Sequence, residues 1–137
     1  MYKLGITGGI GSGKSTASNF FKKNGAIVFN ADKEAKKHLK NTKVLQNRII
    51  DAFGQKIVES NKLSIKKLAE VAFSSKFDQS ILNGLMWPEI FILVEEAMEE
   101  ARERGVELFV VDAAMIFEAN FEYIFDTTLL ISTRKNL

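Results

Sequence analysis

The chain has no cysteine, which excludes disulfides, thiolate metal sites and cysteine nucleophiles. It has no apolar run near the roughly 20 residues that a membrane-spanning helix needs. No basic-then-apolar leader precedes its first strand pattern. A cytoplasmic location, away from membranes, is the expectation. Charge of one sign is also lacking. Nineteen basic against seventeen acidic residues leave a net charge of +2, too mild to argue for a nucleic-acid partner. No internal repeat, low-complexity segment or linker breaks the chain.

What remains is an ordinary globular composition, with 46% hydrophobic and 26% charged residues in a chain of 137. That length gives one domain, with room for a genuine core. Eleven phenylalanines are many, but they fall at core-like spacings and read as packing. The richest local signal is GGIGSGKST, residues 8–16, a full match to the phosphate-loop pattern G-x-x-x-x-G-K-[ST]. Gly8, Gly11 and Gly13 permit backbone angles and close approaches that a Cβ would block. Successive N–H groups can then face an anion, and the helix that follows adds its positive end. Lys14 reaches toward the β- and γ-phosphates of a nucleoside triphosphate, and the Ser15 hydroxyl takes a place on Mg²⁺. The flanks agree: an apolar strand pattern, residues 2–7, precedes the loop, and the helix-compatible STASNFFKK follows it. No N-K-x-D guanine motif is present, which disfavours a GTPase.

Further strands are predicted at residues 26–32, 107–114 and 126–132. The third is almost unbroken in its apolar character, as expected of a strand buried on both faces. The interval from Asp32 to Gly105 reads as helical. A weak amphipathic pattern covers 33–40. Leu45, Ile49, Ala52 and Phe53 follow a possible cap at Thr42, and Ser64 can cap a helix carrying Ile65, Leu68, Ala69, Ala72 and Phe73. The longest pattern runs from about residue 79 to Arg104, and Pro88 predicts a kink or a fresh start within it. Its charged face, Glu95, Glu96, Glu99, Glu100, Arg102, Glu103 and Arg104, reads as solvated. The predicted fold is α/β: a three-layer P-loop NTPase fold, its parallel sheet flanked by helices. The domain is a single P-loop kinase domain spanning 1–137, with a helical acceptor-binding insertion at about 33–105.

Two carboxylates fall at strand ends, where parallel sheets hold ligands. Asp32 either accepts or orients an acceptor hydroxyl, or caps the helix that follows it. Asp112 either stands where a Walker B carboxylate reaches Mg²⁺, or is satisfied by loop amides. Glu118 could line the acceptor side or be an ordinary loop acid. The only histidine, His38, lies in a basic helical stretch with Lys36, Lys37 and Lys40 and is given no role.

With these segments in place, the chain resembles the dephospho-coenzyme A kinase family. GITGGIGSGKST matches the family's loop, Asn30–Ala31–Asp32 its D-A-D, and Phe53–Gly54 its FG. Trp87–Pro88 matches its H-P, and Asp112 to Glu118 match D-V-P-L-L-F-E in part. The resemblance implies transfer of the ATP γ-phosphate to the 3′-hydroxyl of dephospho-coenzyme A, a small-molecule substrate. Asp32 and Lys14 then become catalytic, and Gly11, Ser12, Gly13, Lys14, Ser15 and Thr16 the nucleotide-binding stretch. ATP and Mg²⁺ are the implied cofactors, and oligomeric state varies within the family. The departures are Asn30 for the first Asp, Trp87 for the His, and Ala114–Met115–Ile116 for P-L-L. Family members continue beyond the fourth strand through an arginine-bearing lid. This chain has only Arg134 and Lys135 there, and they do not match it. The expectation is a C-terminally short chain with weak or no turnover, since lid-type cations are worth about 10³ to 10⁵ in rate. The alternatives are an ATP-binding module without turnover and another nucleoside or metabolite kinase.

Overall fold

The computed structural model describes residues 1–9 and 13–132. The elements in chain order are β1 (Tyr2–Thr7), α1 (Lys14–Lys23), β2 (Ile27–Asn30), α2 (Ala31–Asn41) and α3 (Lys43–Phe53). A short hairpin, β3 (Val58–Glu59) and β4 (Lys62–Leu63), comes next. Then follow α4 (Ile65–Ala72), α5 (Lys76–Glu103), β5 (Leu108–Asp112) and β6 (Thr127–Leu130). No described helix is long and apolar enough to cross a membrane. The chain divides into two compact units. One takes Met1–Glu34 and Phe91–Leu137, described as far as Ser132, and the other takes Ala35–Ile90.

The first unit holds the α/β architecture. Its four strands are all parallel, in the order β2–β5–β1–β6. Parallel neighbours need crossover segments; helices supply those from β1 to β2 and from β2 to β5, while β5 reaches β6 through turns and one short 3-10 stretch, Glu122–Ile124. The central strand β5 is the most apolar, and Phe109 and Val110 have no exposed surface. On the α1 side, Ala17 and Phe21 pack against Leu4, Ile6, Ala26 and Val110. Because the strands run the same way, Thr7, Asn30 and Asp112 all end at one edge of the sheet. The register sets Asn30 and Ile6 on either side of Asp112.

The second unit has its own core of Leu39, Leu45, Ile49, Phe53, Ile57 and Leu68, with Leu82, Leu85 and Met86 packed against it. The predicted helices at 42–54 and 64–73 are present, and the Ser64 hydroxyl accepts the Lys67 N–H at 3.2 Å as a cap. Three expectations need correction. The β3–β4 hairpin interrupts the helical interval, turning through Ser60 and Asn61 at φ 51° and 62°, the paired positive φ values of a type I′ turn. Helix α5 runs unbroken from Lys76 to Glu103 through Pro88. Pro88 and Gly84, whose carbonyl loses its partner, are both exposed, so water can satisfy the freed acceptor. Thr42 holds the cap position of α3 without capping it. Its hydroxyl bonds His38 Nδ1 at 3.1 Å instead.

The phenylalanines also divide. Phe53 and Phe109 are buried, but Phe20, Phe73, Phe77 and Phe117 are exposed, so packing accounts for only part of the set. Gly5, inside β1, has a packing reason the sequence did not show. A Cβ there would lie 2.7 Å from the Phe125 ring and 3.0 Å from Ile116. Gly5→Ala is expected to cost about 1–3 kcal/mol through overpacking, read as a lower urea midpoint at an unchanged slope.

Candidate functional site

The chain leaves β1 at Thr7 and enters α1 at Lys14. Gly13 sits between, at φ 91° and ψ 9°, a left-handed conformation that a side chain resists. A Cβ there would find nothing nearer than 3.9 Å, so the demand is conformational rather than spatial. Gly13 offers no side-chain cap, and the first turn of α1 carries no acid. Among the described residues no side chain caps the N–H groups that open this helix, and such groups suit an anion. Gly11 and Ser12 lie outside the described residues.

A cavity of about 1000 Å³ opens at this end of the sheet. Among the described residues, Gly8, Gly13, Lys14, Ser15 and Asp32 line it, and Ala114, Phe117 and Glu118 close another side. Thr16 is exposed and does not line it. Asp112 does not line it either, but touches Lys14, which does.

Lys14 brings the two strand-end carboxylates together. Its Nζ lies 2.8 Å from Asp112 Oδ1 and 3.7 Å from Asp32 Oδ2. The Asp112 contact dominates, being shorter and made by a side chain only 6% exposed, against 57% for Asp32. Among the described residues Lys14 is the one partner of the buried Asp112 Oδ1, as an ion pair. Its other oxygen, Oδ2, accepts the Ser18 hydroxyl at 2.7 Å. Asp32 Oδ2 accepts the backbone N–H of Ala114 at 3.1 Å. The Thr7 hydroxyl donates to the Ala114 carbonyl at 2.9 Å. The site therefore ties together the ends of β1, β2 and β5.

The capping role that Asp32 could have taken falls to its neighbour. Asn30 Oδ1 accepts the Lys33 N–H at 3.0 Å and caps α2, while Asp32 lies in the first turn of that helix. Asp112 is held by side chains, not by loop amides. Glu118 lines the cavity. His38 belongs to the other unit, with its Nε2 3.8 Å from Glu89 Oε1. Ser18, Thr7 and the Ala114 amide escaped the sequence reading. Ser18 had a signal: it lies four residues after Lys14, on the same helix face.

A family model described as dephospho-CoA kinase matches residues 2–137. The chain belongs to the dephospho-CoA kinase family. It is 39% identical over 132 residues to a dephospho-CoA kinase of Salinibacter ruber, covering 96% of this chain and 66% of that protein. It is 34% identical over 129 residues to one of Fusobacterium nucleatum, covering 93% and 65%. The fold matches the dephospho-CoA kinase from Campylobacter jejuni at TM-score 0.71 and 28% identity, over 98% of this chain and 67% of that one. A Thermus thermophilus crystal structure matches at TM-score 0.75 and 28% identity, over 96% and 65%. The chain thus spans about two thirds of the length of the family members it matches.

The cap assignment is directly measurable. Asn30→Ala is expected to cost about 0.5–2 kcal/mol in denaturant unfolding, whereas Asn30→Asp, which keeps a capping oxygen, costs little. Asp32→Ala leaves the α2 cap intact.

Proposed function

We propose that this chain carries the phosphate-binding and acceptor-activating centre of a dephospho-coenzyme A kinase. The reaction transfers the ATP γ-phosphoryl group to the 3′-hydroxyl of the dephospho-coenzyme A ribose. One observation carries the reading: Lys14, at the opening of a helix whose N–H groups are uncapped, draws Asp32 and Asp112 to one end of the sheet. Family membership supplies the acceptor.

The Lys14 ammonium is balanced chiefly by Asp112, with Asp32 farther off. An incoming triphosphate offers it a denser set of anionic oxygens, and the α1 N–H groups bind the same phosphates. Asp32 is exposed to the cavity and held through Oδ2 by the Ala114 amide and Lys14. Its Oδ1 makes neither contact and is the oxygen left for the acceptor hydroxyl. As the 3′-oxygen bonds to the γ-phosphorus and the bond to the β-phosphate bridge breaks, Asp32 takes the hydroxyl proton and ADP leaves.

The residues present also fit a magnesium ion. Asp112 Oδ1 is a buried carboxylate oxygen without a hydrogen bond, and Ser15 lines the cavity. These are hard oxygen donors, which Mg²⁺ combines with phosphate oxygens and water. Asp112 and Ser15 would hold it, and the ion supplies positive charge to the β- and γ-phosphates. Among the described residues no cluster of three or more His, Cys, Asp or Glu is present, and Mg²⁺ bound with phosphates needs none.

A coupled ADP-release assay with ATP, Mg²⁺ and dephospho-coenzyme A tests the reading on this chain and on any longer product of its gene. Acceptor-dependent ADP release in either supports it. ATP binding with no acceptor-dependent release in both overturns it. Lys14→Ala is expected to lower kcat/KM by about 10² to 10³. Asp32→Asn should lower kcat by about 10² to 10⁴ while ATP affinity is kept.

A further inference from the structure

We propose that Ser18 is a positioning residue that acts through Asp112, fixing the rotation of its carboxylate beside Lys14. The proposal rests on the reading of this cavity as a magnesium–nucleotide site. The terminal torsion of an aspartate is broad, so a carboxylate held at one oxygen can still rotate its plane away from a cation. Asp112 is held at both. Ser18 Oγ donates to Oδ2 at 2.7 Å, and Lys14 Nζ lies 2.8 Å from Oδ1. Both Ser18 and Asp112 are buried, so water does not compete for Oδ2.

The division of labour follows from this. Oδ2 is spent on Ser18, and Oδ1, which among the described residues meets only the Lys14 ammonium, is the oxygen turned toward cations. Lys14, Ser15 and Ser18 all lie on α1. One helix therefore carries the phosphate-binding ammonium, a candidate metal-binding hydroxyl and the group that orients the carboxylate opposite them. Partners behind a metal-binding carboxylate are typically worth about 10- to 100-fold in metal affinity or activity.

Titration calorimetry of ADP, with Mg²⁺ and with EDTA, tests this without turnover or dephospho-coenzyme A. A failure here is therefore separate from a failure of the kinase assay. The wild-type chain is expected to bind ADP more tightly with Mg²⁺. Ser18→Ala, which keeps good helix propensity within α1, should shrink that magnesium-dependent gain by about 10-fold. Its affinity for ADP in EDTA should match wild type, and Ser18→Thr, which keeps the hydroxyl, should retain the gain. A Ser18→Ala chain with a lower Tm but a full magnesium-dependent gain would show a purely structural hydroxyl and overturn the proposal. A wild-type chain with no magnesium-dependent gain overturns it too, together with the assignment of Asp112 and Ser15.

Discussion

A buried negative charge at the end of the central strand is the constraint on which the site depends. Asp112 closes β5, flanked by β2 and β1 and only 4% exposed, where an isolated carboxylate is costly. Two groups compensate it, and both come from α1: the Lys14 ammonium at one oxygen and the Ser18 hydroxyl at the other. The helix after the loop is thus fastened to the sheet by charge at its first turn and by apolar contact through Ala17 and Phe21 further along. The geometry that stabilises this end of the unit is the same geometry that points a cation at a phosphate.

That coincidence has a functional sense. Removing one partner of a buried pair is destabilising because the other is left uncompensated. Lys14 is therefore held in place by carboxylates, Asp112 foremost, and under the proposed function a triphosphate would take over that charge balance. Asp32 contributes little to this balance, being distant and exposed. It is the less committed of the two acids and the freer to handle a proton.

Much of the first unit was legible in the sequence because its signals are local. The loop pattern, the apolar run of β5 and the alternation of strand with helix all follow from short windows. So did Lys14, Asp32 and Asp112, since parallel strands must bring their carboxyl ends to one edge. What escaped depended on partners far along the chain. Ser18 looks like a helix surface residue until Asp112, distant in sequence, arrives beside it. The capping role could fall to Asn30 or Asp32 by residue type, and only the backbone shows that Asn30 takes it. The β3–β4 hairpin has strands of two residues each, too short for a period-two pattern. Pro88 was read as a kink or a fresh start; the helix runs through it without a fresh start, because the freed carbonyl lies at an exposed position.

The hold on Asp32 by Ala114 has a consequence for how this chain can vary. The donor is a backbone N–H, so the contact is indifferent to the side chain at that position. Residue 114 can drift in size, polarity or charge while Asp32 stays anchored. Proline alone lacks the hydrogen, and proline is the residue that the resembling motif carries there. Ala114→Pro would therefore cost Asp32 this anchor, whatever the change did to the size of the side chain.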